Sequence, residues 1–584
     1  MKKIFALALI ATAGAALTGC NDFLDDNRYP LTKIISNPQY WGNPSNVQLQ
    51  VDRYQDELQP GYGSGGSGGW SYFKTLSDDQ VGSSFANWAY PDETSQVGEY
   101  DYSIVRGANI ILDGIAEAQP QLSKADRVNY EGIAKLIRAY EYYKLVRMFG
   151  DVCWFSHQVD PSGPEALYAD RTNRDIVMDS VLQDINYAIA GIATESSKLA
   201  WSKDLARAIK SEVCLYEGTF CRYRTEAENG IKPNEERAKK FLQECATVSL
   251  QLINKYGFNA DSYQAIYNST WTGDLNAGVT SLNDNPELIF GRRYDKDKAR
   301  HSTISYTASS TTTSGMSLDA FRAFLFSDGL PEALTSCNTT LVGVPDAEAN
   351  TLCIQNLLDV RDARLSVITD PYVYYKGMEW DRAGCTQLST SSGFGIAKFD
   401  NVNLPVADRT NSSYNYTSAP IFWNSYIMLN YAEAKAELGT LTDADLNLTI
   451  NKLFTRANLP TRTVAQLSAI ADPANNHGVS SLLWEIRRCR RCELMFDNWI
   501  RYWDLVRWHQ LDKLDSTRYP DVLRGAYAAN APTPPNTSID AQGFVRANSS
   551  DRIFNKKYYL YPIPTEQIRL YLEGGKTLNK NFGW

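Results

Sequence analysis

Apolar residues recur at intervals of three and four along much of this chain, which is the spacing of an amphipathic helix. In the clearest run Ile133, Leu136, Tyr140 and Tyr143 share one face, and Gly150 follows as a helix end. The same spacing predicts further helices at 174–192, 205–222, 235–256, 424–438 and 481–510. Antiparallel helix pairs of this length predict a mainly α fold with tetratricopeptide-like stacking that lacks a strict period.

Three other parts of the chain lack helical periodicity. The stretch ahead of the first of these helices is spaced by prolines and contains a glycine- and serine-rich run at 61–69. Residues 259–420 are rich in Ser, Thr, Gly and Asn, and 525–551 show a similar bias. We therefore predict a helical scaffold at about 100–258 and 421–510, with a large loop-rich insertion between its two parts.

The N-terminus has the pattern of a secretory signal. Lys2 and Lys3 precede a short apolar run at 4–17, and Leu17-Thr18-Gly19-Cys20 follows the pattern of a bacterial lipobox. The apolar run is shorter than the roughly 20 residues that a membrane-spanning helix needs. We predict that 1–19 is a lipoprotein signal peptide and that Cys20 receives the lipid anchor, including palmitate, outside the cytoplasm. An ordinary cleaved signal beside a cysteine is the alternative.

Net charge narrows the choice of partners. The formal charge is −9, and loss of Lys2 and Lys3 with the signal would bring it to −11. Proteins that bind nucleic acid or anionic lipid present clustered Lys and Arg. We therefore predict neither as a partner.

Aromatic residues are unusually frequent, with 35 Tyr and 13 Trp. Their rings offer flat apolar faces with a polar tip, which suits sugar or peptide recognition and equally suits tightly packed helices. The four histidines form no HExxH pair or close cluster, so we predict no metal site and no cofactor. Whether a Ca²⁺ ion braces a loop stays open.

Ten cysteines leave nine after lipidation of Cys20. Most lie in apolar helical contexts, where a free cysteine behaves as a small buried hydrophobe. The pair Cys489 and Cys492 belongs to that group, because no second pair exists to complete a zinc site. The better disulfide candidates are in the loop-rich middle: Cys337, Cys353 and Cys385.

The sequence contains patterns that resemble catalytic motifs, but they lack the surrounding elements that those motifs need. The run at 61–69 contains literal matches to a dinucleotide fingerprint and to a nucleophile elbow, but both need a strand before and a helix after. A glycosidase needs two carboxylates across one bond, and no pair of acids is singled out by the sequence. The sequence therefore predicts no enzyme and leaves a glycosidase as an alternative.

Several strings, in order along the chain, resemble one family. Arg361-Asp362-Ala363-Arg364-Leu365 is similar to an RDPRL element, and Tyr431-Ala432-Glu433-Ala434 to NYAEA. Further matching strings lie at 102–112, 131–152, 491–508 and 559–584. With the lipobox they resemble the SusD/RagB family of Bacteroidota surface glycan-binding lipoproteins. Departures are Cys153, where the family usually has Pro, and Asp497-Asn498, where it usually has Glu-Gly.

The resemblance implies one compact domain at 20–584, in which four helical pairs support an irregular, ligand-facing half. It also implies a partner, a TonB-dependent outer-membrane transporter of the SusC type, against which the lipoprotein closes like a lid. Binding in the family is non-catalytic and uses an aromatic arc on loops. No family site residue is carried over by a motif, because that arc lies in variable loops.

Binding residues are therefore predicted from chemistry and position. Ring-bearing and polar residues in the predicted loops comprise Trp70, Tyr72, Asn87, Trp88, Tyr90, Trp271, Tyr294, Tyr375 and Trp380. A ring on a loop is easily exposed and stacks on the apolar face of a sugar. Trp88 is our first choice. The alternative for each ring is that it pins its loop to the core, as we expect for Trp503 and Trp508 on helices.

These observations predict a surface lipoprotein of the outer membrane that faces outward and serves polysaccharide utilisation. It would bind an oligosaccharide or polysaccharide and deliver it to the transporter for nutrient uptake. The alternatives are a lipid-anchored glycoside hydrolase, a peptide-binding member of the same family, and a helical assembly factor without a small ligand.

Overall fold

The computed structural model describes residues 38–58, 61–63, 77–82, 93–118, 121–303, 314–373, 375, 390–410, 414–532 and 538–584. The predicted signal peptide and lipidated Cys20 lie outside these residues. Among the helices that are described, none combines the length and hydrophobicity that crossing a bilayer requires.

The structure is mostly helical, as predicted. The α-helices before residue 260 are α1 (Pro38–Trp41), α2 (Pro44–Asp52), α3 (Gln55–Leu58), α4 (Ser103–Glu117), α5 (Lys124–Phe149), α6 (Pro164–Leu167), α7 (Arg174–Gly191), α8 (Lys203–Tyr223), α9 (Glu226–Asn229) and α10 (Glu235–Ile253). Those that follow are α11 (Leu318–Ala323), α12 (Gln355–Leu358), α13 (Arg364–Ile368), α14 (Val406–Thr410), α15 (Asn424–Glu437), α16 (Asp443–Leu448), α17 (Ile450–Arg456), α18 (Val464–Ser468), α19 (Ser481–Glu493), α20 (Ile500–Arg507) and α21 (Thr565–Glu573).

Short antiparallel strands lie between and after the helices. They are β1 (Gln80–Gly82), β2 (Leu288–Arg292), β3 (Ser314–Met316), β4 (Val344–Asp346), β5 (Thr351–Cys353), β6 (Tyr372–Val373), β7 (Ala419–Trp423), β8 (Arg524–Tyr527), β9 (Ser538–Ile539) and β10 (Phe544–Arg546). β1 pairs with β3 and β2 with β7, while β4-β5-β6 and β8-β10-β9 form three-stranded sheets. The stretch at 525–551, predicted to be irregular, therefore holds a small sheet.

The predicted helix that ends at Gly150 is confirmed as α5. Its N-terminus is capped by Ser123, whose hydroxyl accepts a 3.1 Å hydrogen bond from the amide of Asp126. Gly150 at the C-terminus has φ of 72°, a conformation that glycine adopts at little cost. The four predicted face residues are all buried. The helices predicted at 174–192, 205–222, 235–256 and 424–438 are also confirmed, within three residues at each end.

Successive scaffold helices pack side by side. α4 and α7 pack on α5, α8 packs on α7 and α10, and α15 packs between α10 and α19. α8 approaches α10 closely at Gly218, where a Cβ would lie only 2.7 Å from Cγ of Leu242. The absence of a side chain at this glycine permits the contact. The tetratricopeptide-like character of this stacking stays a prediction.

Two predictions of local structure are wrong. The region at 481–510 is not one helix, because Phe496, Asn498 and Trp499 have φ of 67°, 33° and 63° and turn the chain between α19 and α20. The stretch before residue 60 is not wholly irregular, because α1, α2 and α3 lie there. Pro44 is the first residue of α2. Proline suits this position because the first residue of a helix needs no backbone N–H for a hydrogen bond within the helix.

The strings that carry the family resemblance form buried ion pairs within the scaffold. Glu433 accepts two 2.6 Å hydrogen bonds from the guanidinium of Arg507. Arg364 binds both Asp362, at 2.6 Å, and Glu493, at 2.8 Å. Charges buried this deeply persist only when they are paired. These strings therefore hold helices together.

The cysteines in the described residues are free thiols. Cys337 and Cys353, favoured as disulfide candidates, form no disulfide with each other, and Cys385 lies outside the described residues. Cys489 and Cys492 are buried in the core, as predicted. Burial raises the pKa of the Cys489 thiol to about 12, so it stays protonated and unreactive.

Candidate functional site

The predicted binding residues fall into two groups in the structure. Trp70, Tyr72, Asn87, Trp88, Tyr90 and Trp380 lie outside the described residues. The chain on either side of them is described, and this includes 77–82, Tyr375 and Thr390. The position of these neighbours therefore shows where the loops are attached to the scaffold.

The other three predicted residues are buried. Trp271, Tyr294 and Tyr375 are 8%, 2% and 0% exposed, and all three belong to the main hydrophobic core. The Tyr294 hydroxyl donates a 2.5 Å hydrogen bond to the carbonyl of Gly63, and its ring stacks on Tyr62. In this conformation each ring packs its loop against the core and offers no face to a ligand. Their use in binding stays a prediction that requires these loops to open.

Four separate chain segments meet where the predicted loops are attached. β1 pairs with β3, so Gln80 lies opposite Met316 and Gly82 opposite Ser314. The Met316 amide donates to the carbonyl of Phe394 at 3.1 Å, and the Ala526 amide donates to the carbonyl of Ser392 at 2.8 Å. We call these segments, 77–82, 314–316, 390–394 and 524–527, the loop junction.

The segments of the loop junction approach one another very closely. A Cβ at Gly525 would lie 1.9 Å from the carbonyl oxygen of Ser392, and one at Gly315 would lie 2.2 Å from the Ser392 hydroxyl. Tyr375 lies at the same place, because a Cβ at Gly393 would be 3.0 Å from its Cε1. Glycine is needed at positions where main chain meets main chain at such distances.

A buried ion-pair network fixes the loop junction to the helices. Asp78 accepts hydrogen bonds from Arg501 Nε at 2.8 Å and from Nη2 at 2.6 Å. Asp79 accepts a 2.7 Å bond from Nε of Arg491, which also pairs with Asp319 at 2.7 Å. Arg491 lies on α19, Arg501 on α20 and Asp319 on α11. The base of the predicted loops is therefore held by side chains from three helices.

The two aspartates of this network differ in protonation. Burial raises the pKa of Asp79 to about 6, and the nearby negative charge of Asp78 adds to this effect. Burial also disfavours the charge of Asp78, but Arg491 and Arg501 outweigh it and hold the pKa of that carboxyl far below its usual range. Asp78 therefore stays charged throughout the ordinary pH range, whereas Asp79 ionises only near pH 6, and its charge destabilises the folded state.

We expect Asp79→Asn to remove a pH dependence of stability. The folded pKa of Asp79 is about 6 and its unfolded pKa is 3.8, so wild-type stability falls as pH rises through that window. Asparagine keeps an oxygen acceptor for Arg491 but carries no charge. As pH rises from 4 to 6, the free energy of unfolding of the variant should increase by about 1–3 kcal/mol relative to that of wild type. Urea unfolding at several pH values measures this, and parallel profiles for the two proteins would contradict it.

An aromatic cavity of about 240 Å³ lies among the scaffold helices. Its wall includes Tyr140, Tyr143, Tyr216, Trp499 and Trp503, together with charged groups such as Glu212 and Arg147. Trp503, which we predicted to be a packing residue, therefore borders a space. The sequence carried no sign of this cavity, because helix-spaced aromatics have the same pattern when they pack against each other.

Among the described residues, one group of possible metal ligands forms ion pairs with arginines. Asp175, Glu217 and Cys221 place ligand atoms within 4.8 Å of one another. Arg174 pairs with Glu217 at 2.5 Å, and Arg224 pairs with Asp175 at 2.7 Å. The carboxylates thus have their counter-ions in the protein, which favours an ion-pair network over a metal site.

Together the described residues form a scaffold of packed helices with short antiparallel strands, joined at the loop junction. Residues 286–584 match the model of the SusD family, and residues 72–215 match a second model, described as starch-binding and associating with the outer membrane. The first match covers half of the chain. The chain therefore belongs to the SusD family.

Individual relatives agree with this assignment. A SusD-like protein of Formosa agariphila, P38, is 24% identical over 521 residues, which cover 87% of this chain and 91% of the relative. A SusD-like carbohydrate-binding protein from Bacteroides fragilis has the same fold, with 18% identity, a TM-score of 0.65 and coverage of 91% and 99% of the two chains. A laminarin-binding SusD-like protein matches with 16% identity, a TM-score of 0.50 and coverage of 93% and 99%.

Proposed function

We propose that this chain is a non-catalytic lipoprotein of the outer membrane that binds a glycan and delivers it to a TonB-dependent transporter of the SusC type. The observation that carries the proposal is membership of the SusD family, from the match over 286–584. The names of related proteins support a carbohydrate ligand, since one binds laminarin and another is described as carbohydrate-binding.

The loop junction is the proposed base of the glycan site. Trp88 follows Gly82 by six positions, Trp70 precedes Ser77 by seven, and Trp380 follows Tyr375 by five. In sequence these three tryptophans are therefore no more than seven residues from described segments at or beside the loop junction. Aromatic rings suit stacking on the apolar face of a saccharide.

The proposed anchor at Cys20 would raise the efficiency of delivery. A lipid on Cys20 keeps the protein in the plane of the membrane that holds the transporter. Tethering turns each encounter with the transporter into a local event at high effective concentration. We expect Cys20→Ala to release the protein from outer-membrane fractions and to reduce its recovery with the transporter.

A panel of polysaccharides tests the proposed function. Isothermal titration of the full chain should show saturable binding to one glycan class and no binding to peptides. The same mixtures should contain no shortened glycan after long incubation. Affinity purification from outer membranes should recover a TonB-dependent transporter. Cleavage of the glycan at enzymatic turnover would contradict the proposal, and so would a failure to bind any glycan of the panel.

We expect Trp88→Ala to weaken glycan binding by roughly 1–3 kcal/mol, as loss of a central aromatic anchor does elsewhere. Titration calorimetry measures the change, and an unaltered thermal unfolding midpoint shows that the fold is kept. Leu275→Ala is the control, because Leu275 is 91% exposed and its removal should leave affinity unchanged. Equal affinities for wild type and Trp88→Ala would remove Trp88 from the site.

A further inference from the structure

A second cavity, of about 260 Å³, lies against the loop junction. We call it the Lys513 pocket. Its cationic lining residues are Arg322, Arg487, Arg488, Arg491, Arg501 and Lys513, and its acidic ones are Asp319 and Asp521. In a chain whose net charge is −9, this concentration of positive side chains around one cavity is unexpected.

The Lys513 pocket shares residues with the network that holds the loop junction. Arg491 and Arg501 line the pocket and also bind Asp79 and Asp78 at the junction. The pocket and the loop junction are therefore direct neighbours that share two arginines. The mouth is bordered by partly exposed aromatic rings of Trp484 and Tyr519.

The arginines of the pocket have carboxylate partners. Arg501 is paired with Asp78 at 2.6 Å, Arg491 with Asp319 at 2.7 Å, and Arg488 with Glu485 at 3.0 Å. Arg322 pairs with Asp521 at 2.5 Å and is 37% exposed. Each guanidinium offers several N–H donors, so a paired arginine can also contact a ligand.

Lys513 differs from these arginines. Within the described part of the chain, its ammonium has no hydrogen bond and no carboxylate within 4.0 Å. Its nitrogen lies 4.7 Å from the centre of the Trp484 ring, which attracts a cation but accepts no conventional hydrogen bond. An ammonium that is partly withdrawn from water with no carboxylate in direct contact raises the free energy of the folded protein.

The charges around Lys513 favour binding of an anion at its ammonium group. Burial lowers the pKa of Lys513 to about 8, and Arg501 and Arg491 lower it further, against the opposing effects of Asp319 and Asp78. An anion beside the ammonium would stabilise its charged form. The carboxylates near the pocket are engaged by arginines, so this anion would have to come from a ligand.

We propose that the Lys513 pocket binds the anionic substituent, a carboxylate or a sulfate ester, of a sugar residue in the glycan. This inference rests on the proposed function and narrows its substrate class to acidic polysaccharides. The cavity is smaller than the roughly 300–1,000 Å³ of pockets for drug-sized ligands, which suits a single sugar residue. The ammonium and Arg322 bind the anion, Trp484 and Tyr519 cover the ring, and Asn476 and Gln510 offer amides for hydroxyl groups.

Three kinds of oligosaccharide distinguish the possibilities. The full chain is titrated with an oligogalacturonate, a sulfated galactan oligosaccharide and a neutral laminari-oligosaccharide, at low and at physiological salt. The variants are Lys513→Gln, Lys513→Arg and the control Lys232→Gln, which alters an exposed lysine remote from any pocket residue in sequence. We expect one acidic ligand to bind, and Lys513→Gln to weaken it at least about tenfold. Lys513→Arg and Lys232→Gln should bind it as wild type does.

The outcomes separate this inference from the proposed function. An acidic ligand that binds Lys513→Gln as tightly as wild type overturns the pocket, and so does a panel in which only the neutral ligand binds. The latter result leaves the proposed function intact. A panel in which nothing binds overturns the proposed function and the pocket with it. If Lys513→Gln unfolds at the assay temperature, Arg322→Gln is titrated in its place. An Arg322→Gln protein that binds the acidic ligand as tightly as wild type then overturns the proposed anion site.

Discussion

Glu433→Gln is expected to lower the free energy of unfolding by about 3–5 kcal/mol. Glu433 lies on α15 and is 0% exposed. Its carboxylate accepts two 2.6 Å hydrogen bonds from Arg507 and another of 2.6 Å from the indole nitrogen of Trp508. Glutamine keeps the size of the side chain but leaves the guanidinium of Arg507 buried with only Asp504 as a close anionic partner.

This prediction has a defined pH dependence. Burial disfavours the charge of Glu433, but Arg507, together with Arg490 and Arg487, outweighs it and lowers the pKa of this carboxyl from 4.5 to about 2. The stability that Glu433 supplies is therefore present above pH 4.5 and is lost as pH falls toward 2. Guanidinium unfolding of both proteins over this range should show the difference shrink as pH falls.

A matched control uses a surface pair. Glu573 pairs with Arg569 on α21, and both side chains are more than half exposed. Glu573→Gln should change stability by less than about 1 kcal/mol, because exposed ion pairs contribute little. A loss for Glu433→Gln no larger than that of Glu573→Gln would contradict the importance of the buried pair.

Gly525→Ala is expected to disturb the loop junction and to weaken glycan binding together with stability. The new Cβ would lie 1.9 Å from the carbonyl oxygen of Ser392, so one of the two main-chain segments has to move. Overpacking of this kind costs about 1–3 kcal/mol. Displacement of the 390–394 segment should also shift the loops that it supports.

Thermal unfolding and glycan titration measure the two effects of Gly525→Ala. Gly98→Ala is the control, since nothing lies within 4 Å of its Cβ position and its backbone does not have positive φ. We expect the control to behave as wild type in both assays. Unchanged affinity in a destabilised Gly525→Ala protein would separate the loop junction from the glycan site.

The helical scaffold was predictable because its signals are local. Residues three and four apart, a serine cap and a terminal glycine identify α5 within one stretch of sequence. The break between α19 and α20 was not predictable in this way. At that turn Asp497 accepts hydrogen bonds from Lys398 and Tyr267, which lie 99 and 230 residues away in sequence. Only the folded chain brings these partners together.

The candidate site was less predictable for the same reason. The sequence predicts Tyr294 to be a ring on a loop, but the acceptor of its hydroxyl group, Gly63, lies 231 residues earlier. Neither residue indicates burial when the sequence is read locally. The Lys513 pocket is assembled from residues between Asp319 and Asp521, on α11, α19, α20 and the segments around them. Helical spacing places Trp484, Arg487, Arg488 and Arg491 on one face of α19, but no spacing relates them to Asp319, Lys513 or Asp521.

The anchors of the loop junction have a consequence for evolution. They consist of main-chain hydrogen bonds, glycines and the pair Asp78 and Asp79, which bind Arg501 and Arg491. None of these anchors depends on the identity of the residues in the loops that start there. Loops of other lengths and sequences can therefore be exchanged at this base without rebuilding the helices. Under the proposed function, a lineage could acquire a new glycan by replacing short inserts, while the buried charges stay unchanged.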